Sequence, residues 1–441
     1  MSASDILLTG FGKIEYTPDF PVGLAGYGAD LSRTYTEVVA PIYITCIAAR
    51  QADTTVLLYT VDTCGLYTSH VRRFRAAIQK ATGVPESNIF FGATHSHNCP
   101  SMAPESQAGV PETLALMENA AIQAAETALA DLAETTIYAA KPVIPGMNFT
   151  RHYRIADGRR RTTTDGVNKK YDIVGHLGMS DTQMGLIKFC REGKKDIVLM
   201  NWQAHPDDAR KIGFTCLAAG FVAPVRDTLE EISGCHVAYF TGASGNQVRD
   251  SLIPELAHGL LYDEYGKKLA EMAYAAFPQL KPVNANGIRC DRQLLEVNVN
   301  HTEDHKLQEA EEILQAASEG NSEKVSELCR QYGFFTTLHA KGVRLRASMA
   351  PTDKLELNAM RIGGIGFAFC SCEVFSDQGM QIKNYSPYEY TFMITGNRSY
   401  LASSPAFDYK AYEARGGSGY YEKGTAERMA ETLLQMLQDI F

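Results

Sequence analysis

Short apolar runs that end abruptly in a polar residue recur along this chain. They alternate with stretches whose apolar residues return every three or four positions. Residues 54–62, TTVLLYTVD, form an apolar run of strand length that stops at Asp62. Residues 69–83, SHVRRFRAAIQKATG, place Val71, Phe74 and Ile78 at helical spacing, with Ser69 positioned to cap the helix and Gly83 to end it. Ile89 to Thr94 read as a buried strand that runs straight into His95 and His97 before the chain breaks at Pro100. Residues 112–132 predict a long Ala-rich helix, and residues 196–205 and 235–246 predict strands that end in polar loops. GIGFAFCSCEVF, 364–375, repeats the strand pattern, and a last helix, 425–441, starts at Thr425 after Gly424. The alternation predicts an α/β fold, with mixed sheets flanked by helices in one domain spanning 1–441. Residues 303–332 differ in texture: charged and helical, broken at Glu319-Gly320-Asn321, they read as an insertion packed on the outside.

Four of the predicted strands share one design, an apolar run that ends in a potentially ligating residue: Asp62, His95 with His97, His205 and Glu373. Sites in α/β sheets gather at strand ends, where loops are exposed and the strands hold them rigidly. That regularity points to one shared site.

The 441-residue chain is 45% hydrophobic and 21% charged, an ordinary globular balance, and its formal net charge of −9 argues against a nucleic-acid surface. No apolar run approaches the roughly 20 residues of a membrane span. The opening MSASDILLTG lacks the basic and apolar regions of a secretory signal, so the chain as given is expected in the cytoplasm. Its ten cysteines are scattered, without a CxxC pair, and read as reduced core thiols rather than a disulfide frame or a cysteine zinc site.

Side chains two apart on a strand share a face, so His95 and His97 are expected to point the same way. Two such imidazoles bind one metal, or one binds while the other handles protons; spacing alone leaves ordinary satisfied histidines open. His205 precedes Pro206 at another strand end, where a loop histidine is the plain alternative. Glu373 ends a fully apolar strand, where a charge needs a metal or an ion-pair partner. Two histidines and a carboxylate make a catalytic zinc set with a position left for water. The metallo-β-lactamase pattern is not met, because Asn98-Cys99-Pro100 follow the histidine pair. HExxH is absent, and a barrel amidohydrolase would carry its histidine pair on the first strand.

GATHSHNCP, 92–100, resembles the THTHSGP stretch of the neutral, non-lysosomal ceramidases. The ordered set NFTR (148–151), NWQAHP (201–206), GASGN (242–246), CEVFSDQG (372–379) and NRSYLASSPAFDYKAYEA (397–414) extends the likeness, as does the opening LLTGFGKIEYTPDFPVGLAGYG (7–28). It runs through nearly the whole chain in order, with the charged insertion as the main stranger. The resemblance implies a zinc-dependent hydrolase with one zinc per chain, in which a zinc-bound water cleaves an N-acyl amide bond of a small-molecule substrate. It places zinc ligands on His95, His205, Glu373 and Tyr400. It places His97 beside the reacting groups as a proton carrier, Arg151 on the substrate, and Tyr412 at the developing oxyanion with the zinc. Asn98 and Asn246, which stand where the family differs, are candidate substrate contacts, and Asp62 reads as structural. The family's acid and serine after its fourth strand fall on Asn246 and Val248, so a serine-linked mechanism is not expected. Relative to the family, the chain is expected to lack the C-terminal immunoglobulin-like domain and the secretion signal. Two other readings stand beside this one: a zinc hydrolase of an ester, lactone or glycan-linked group on a soluble polar substrate, and a non-catalytic zinc-binding relative.

Overall fold

Two sheets stacked face to face, each covered on its outer side by helices, account for the burial pattern of this computed structural model. It describes residues 6–27, 33–102, 105–165, 167–168, 170–396, 399–415 and 419–441. Of the sequence motifs, Met1 to Asp5, Gly28 and the Asn397-Arg398 pair lie outside the described residues.

The larger sheet has nine strands: β1 (Leu8–Glu15), β2 (Tyr43–Gln51), β3 (Thr54–Val61), β4 (Ile89–Ala93), β5 (Ala133–Ala140), β6 (Gly185–Arg191), β7 (Ile197–Trp202), β8 (His236–Thr241) and β9 (Lys281–Val283). They lie in the order β8-β7-β6-β5-β1-β2-β3-β4, and β9 pairs with β5 beside β1. The β7–β8 and β3–β4 pairs are parallel and the others antiparallel, so the pairing is mixed as the pattern predicts. The smaller sheet has four strands in sequence order: β10 (Ile288–Asn298), β11 (Thr352–Ile362), β12 (Ile365–Cys370) and β13 (Tyr390–Thr395).

Strand alternation decides the layers. Ile47, Leu58, Phe90, Leu199 and Phe240 from the large sheet meet Met360, Phe367, Phe369 and Ile394 from the small one in a single core. The sheets approach closely at Gly92, where an added Cβ would lie 2.6 Å from Ile394 Cγ2. The opposite face of the large sheet, with Ile44, Leu57 and Tyr59 at one end and Val198, Met200 and Tyr239 at the other, packs under helices. These are α1 (Thr68–Thr82) and α2 (Val110–Ala130) at the first end, α3 (Val222–Ser233) and α4 (Tyr262–Ala275) at the second. Between β10 and β11 stand α5 (Leu307–Ser318), α6 (Ser322–Tyr332) and α7 (Thr337–Ala347), which bury a small core of their own. The smaller sheet's outer face is covered by α8 (Ser376–Tyr385) and α9 (Thr425–Asp439). Among the described residues no helix is long and apolar enough to cross a membrane.

Several expected boundaries move by a residue or two. Gly83 ends α1 in the left-handed conformation, but Ser69 sits inside the first turn and the cap position is Tyr67, which makes no side-chain cap. The break at Glu319-Gly320-Asn321 separates α5 from α6, and Asn321 caps α6 by accepting from Lys324 N–H. The third helix of this region, α7, lies beyond the expected boundary at 332.

Candidate metal centre

The C-terminal ends of β3, β4, β7, β8, β12 and β13 all open onto one end of the sandwich, and the candidate residues follow them. Val61 leads to Cys64, Ala93 to His95 and His97, Trp202 to His205, Cys370 to Glu373 and Thr395 to Tyr400. Short parallel pairing of Glu373 with Tyr400 fixes those two loops against each other. Thr241 Oγ1 donates to the Thr94 carbonyl, tying the ends of β8 and β4.

The reason His95 and His97 converge differs from the one expected. The strand stops at Ala93, and His95 adopts φ 65°, the left-handed region, so alternation on a strand does not place the rings. A turn places them instead. His97 N–H donates to the Pro206 carbonyl at 3.2 Å, which brings the first histidine loop onto the loop that carries His205. Gly26 (φ 86°) backs the His97 ring, at a position where a Cβ would lie 2.6 Å from Cγ.

The three imidazoles meet at their Nε2 atoms. His95 and His205 are 2.7 Å apart, and His97 lies 3.3 Å from the first and 3.2 Å from the second. His95 Nδ1–H donates to the Cys64 carbonyl at 2.6 Å, which leaves its Nε2 with a bare lone pair. His205 Nδ1 is 3.4 Å from the Ser244 carbonyl, on the same plan. Burial holds all three rings neutral: it lowers His95 to about 4 and pushes His97 and His205 well below the ordinary range, with Arg151 adding to each.

Glu373 Oε2 faces His95 Nε2 at 3.3 Å and His205 Nδ1 at 4.0 Å, buried and without a hydrogen bond. Burial pushes this carboxyl up to about 8, against the opposing pull of Arg151 and Tyr400. His95, His205 and Glu373 thus present ligand atoms within 4.8 Å of one another, as do Cys64, His95 and His97. Neutral nitrogens with facing lone pairs repel at these distances, and a buried carboxyl oxygen without a hydrogen bond is costly. Tetrahedral zinc with nitrogens at ~2.0–2.1 Å gives ligand–ligand edges of roughly 3.3 Å, so the donor set fits a divalent cation.

Tyr400 lies beside this group, its hydroxyl near Glu373 and Arg151, with the Arg151 guanidinium 5.2 Å from its ring centre. Arg151 is itself gripped from behind. Its Nε donates to Glu413 Oε1 at 2.8 Å and its terminal nitrogen to the Gly245 carbonyl at 2.9 Å. Glu413 also takes a hydrogen bond from His152 at 3.1 Å, and His152 in turn meets the Tyr409 hydroxyl at 2.7 Å. His152 and Arg151 pull the Glu413 carboxyl down to about 2 although burial alone would raise it.

A cavity of about 510 Å³ opens over the cluster, lined by Cys64, His95, His97, Arg151, Glu373, Tyr400 and Tyr412. Gly26, Tyr27, Thr164, Asp207, Leu338, Lys341, Leu345 and Tyr420 complete its wall. Two expected substrate contacts are absent from that wall and belong to the scaffold. The Asn98 amide donates to the Gly213 and Cys216 carbonyls, and Asn246 exchanges hydrogen bonds with Ser376. Val248 pairs with Phe149 and forms a β-bridge with His205, behind the site. Asp62 is structural as read, clamped by both terminal nitrogens of Arg226 at 2.8 and 2.7 Å. All ten cysteines are free. Sequence reasoning missed the Cys64 carbonyl, Glu413 and His152. Only Glu413 left a trace, as the glutamate next to Tyr412 in the closing YEA of the 397–414 motif.

No protein-family model matches the chain, and no curated protein matches it in sequence. Solved structures do match. Neutral ceramidase from Pseudomonas aeruginosa aligns with 98% of this chain and 74% of its own, at a TM-score of 0.73 and 15% identity. A ceramidase complexed with C2 aligns with 98% of this chain and 75% of its own, at a TM-score of 0.68 and 14% identity. The chain has the fold of these ceramidases.

Proposed function

We propose that the chain is a zinc-dependent hydrolase of N-acyl amide bonds, close to the neutral ceramidases in chemistry as well as in fold. One observation carries the reading. Three neutral imidazole nitrogens and an unpartnered carboxylate oxygen converge in a buried site at the floor of a cavity, an arrangement that a divalent cation relieves. His95, His205, Glu373 and Tyr400 would hold one zinc. Bound there, zinc polarises a carbonyl and lowers the pKa of water to about 7.

The chain's own residues do the rest. His97 falls outside the His95–His205–Glu373 group, and its side chain is the most open of the three histidines, at 13% against 3% and 0%. Neutral at pH 7, it takes a proton at Nε2 as water attacks the amide carbon and gives it to the leaving nitrogen, so that carboxylate and free amine result. The Asp207 carboxylate, 3.8 Å from His97 Nδ1, favours the ring while it carries that proton. The Tyr412 hydroxyl donates to the developing oxyanion. Arg151, held rigid by Glu413, positions a polar group of the substrate. Tyr27, Tyr420, Leu338 and Leu345 give the outer cavity an apolar and aromatic wall, which supports an acyl-chain substrate over a short polar one.

Metal analysis after zinc loading tests the reading: about one zinc per chain is expected. His95→Ala should abolish zinc retention, whereas His97→Ala should retain zinc and lose turnover on a panel of N-acyl amides. Loss of the ion in His97→Ala would reverse the roles of the pair, and a folded wild-type chain that cannot be loaded would end the proposal.

A further inference from the structure

Helix α7 reaches the candidate site from the segment between β10 and β11, just beyond the charged stretch 303–332. Leu338, Lys341 and Leu345 are spaced three and four apart, so they share one face of the helix, and all three line the cavity above the histidines. Leu338 packs against the cluster that contains Tyr400 and Tyr412. The helix is fixed from the far side: Glu303 accepts from His339 Nε2 at 2.9 Å and from Arg346 at 3.0 Å, and both donors are buried. A rigid helix therefore presents a cation between two leucines to whatever occupies the cavity.

The charges around the cavity are unevenly matched. Arg151 is neutralised by Glu413, Asp207 lies near His97, and Glu373 belongs to the metal cluster. Lys341 is exposed and has no carboxylate partner among the described residues. A lone ammonium between two leucines selects an anion on an otherwise apolar ligand.

We infer that α7 sets substrate specificity, and that the site takes N-acyl conjugates bearing an anionic group near the amide, with Lys341 binding that anion while Leu338 and Leu345 flank the chain. The reaction is the amide hydrolysis proposed above, and the inference rests on that reading for turnover but not for binding.

Two substrates of matched length separate the possibilities: N-dodecanoylglycine, which carries a carboxylate, and N-dodecanoylethanolamine, which carries a hydroxyl. The zinc-loaded chain should show the higher kcat/KM on the glycine conjugate. The selectivity ratio should fall about threefold in Lys341→Gln and about tenfold in Lys341→Glu, and return in Lys341→Arg. The change should lie in KM rather than kcat. Calorimetric titration of the metal-free protein with both conjugates should give the same order of affinities and the same dependence on residue 341. If neither conjugate is cleaved but this binding preference holds, the specificity role stands and the hydrolase reading falls. Equal binding of the two conjugates, or a ratio that Lys341→Glu does not move, would overturn the inference.

Discussion

Glu413→Gln keeps the shape of a side chain with 0% exposure and removes its charge, which strands the buried Arg151 guanidinium. Breaking a buried pair on one side costs about 3–5 kcal/mol, because the remaining charge is left uncompensated. The carboxyl's displacement from 4.5 to about 2 gives a second route to the number: with ~1.4 kcal/mol per pH unit it comes to about 3 kcal/mol. Because the folded value is the lower one, this stabilisation is fully present above pH 4.5 and is lost as pH falls toward about 2. Urea unfolding at pH 7 should therefore show Glu413→Gln less stable than wild type by about 3 kcal/mol, with the difference shrinking below pH 4.5. Arg151→Met should cost a similar amount, and the double variant should recover about 2–3 kcal/mol of the summed losses. Recovery stays partial, because His152 meets a neutral amide oxygen in place of the carboxylate. A Glu413→Gln protein within about 0.5 kcal/mol of wild type at pH 7, or strict additivity in the cycle, would refute a charged buried pair behind the cavity.

Gly26→Ala should strain the backbone by about 1 kcal/mol and push the His97 ring, so turnover falls at least about tenfold while zinc content, measured on the same preparation, stays near wild type. In the metal-free protein Glu373→Gln should raise stability at pH 8 to 9 but not at pH 4. The folded carboxyl titrates near 8 and the free one near 4.5, so the folded state holds the extra proton between them and loses stability as pH rises; thermal melts across that range check the sign. Val248→Ser should leave turnover close to wild type, because Val248 braces His205 from outside the cavity wall; a large gain in kcat would contradict that placement.

The strands that position the site were legible because each is a run too apolar to be anything but buried, and each ends in a residue too polar to be buried alone. Val61, Thr94, Trp202 and Cys370 stand at those transitions. The convergence of His95, His205 and Glu373 followed from that regularity, but the mechanism of convergence did not. A left-handed φ at a non-glycine residue has no sequence signature, and a period-two argument gave the right neighbours for the wrong reason. Glu413 was hidden because its partners are Arg151 and His152, reached only through tertiary packing. Helix α7 was hidden because its buried face includes Gly342, Ala340 and the ion-paired Arg346 and His339, so its apolar periodicity is weak. Asn98 and Asn246 were misjudged as substrate contacts because amides suit both ligands and loop backbones, and only the fold shows which they serve.

The histidines of the cluster hang from the first sheet, whereas Glu373 and Tyr400 follow strands of the second. During translation the early strands emerge well before their partners, yet they hold only half a cradle for the ion. On the proposed reading, zinc capture would await synthesis and docking of the late strands, so a nascent or prematurely terminated chain would lack the complete ligand set.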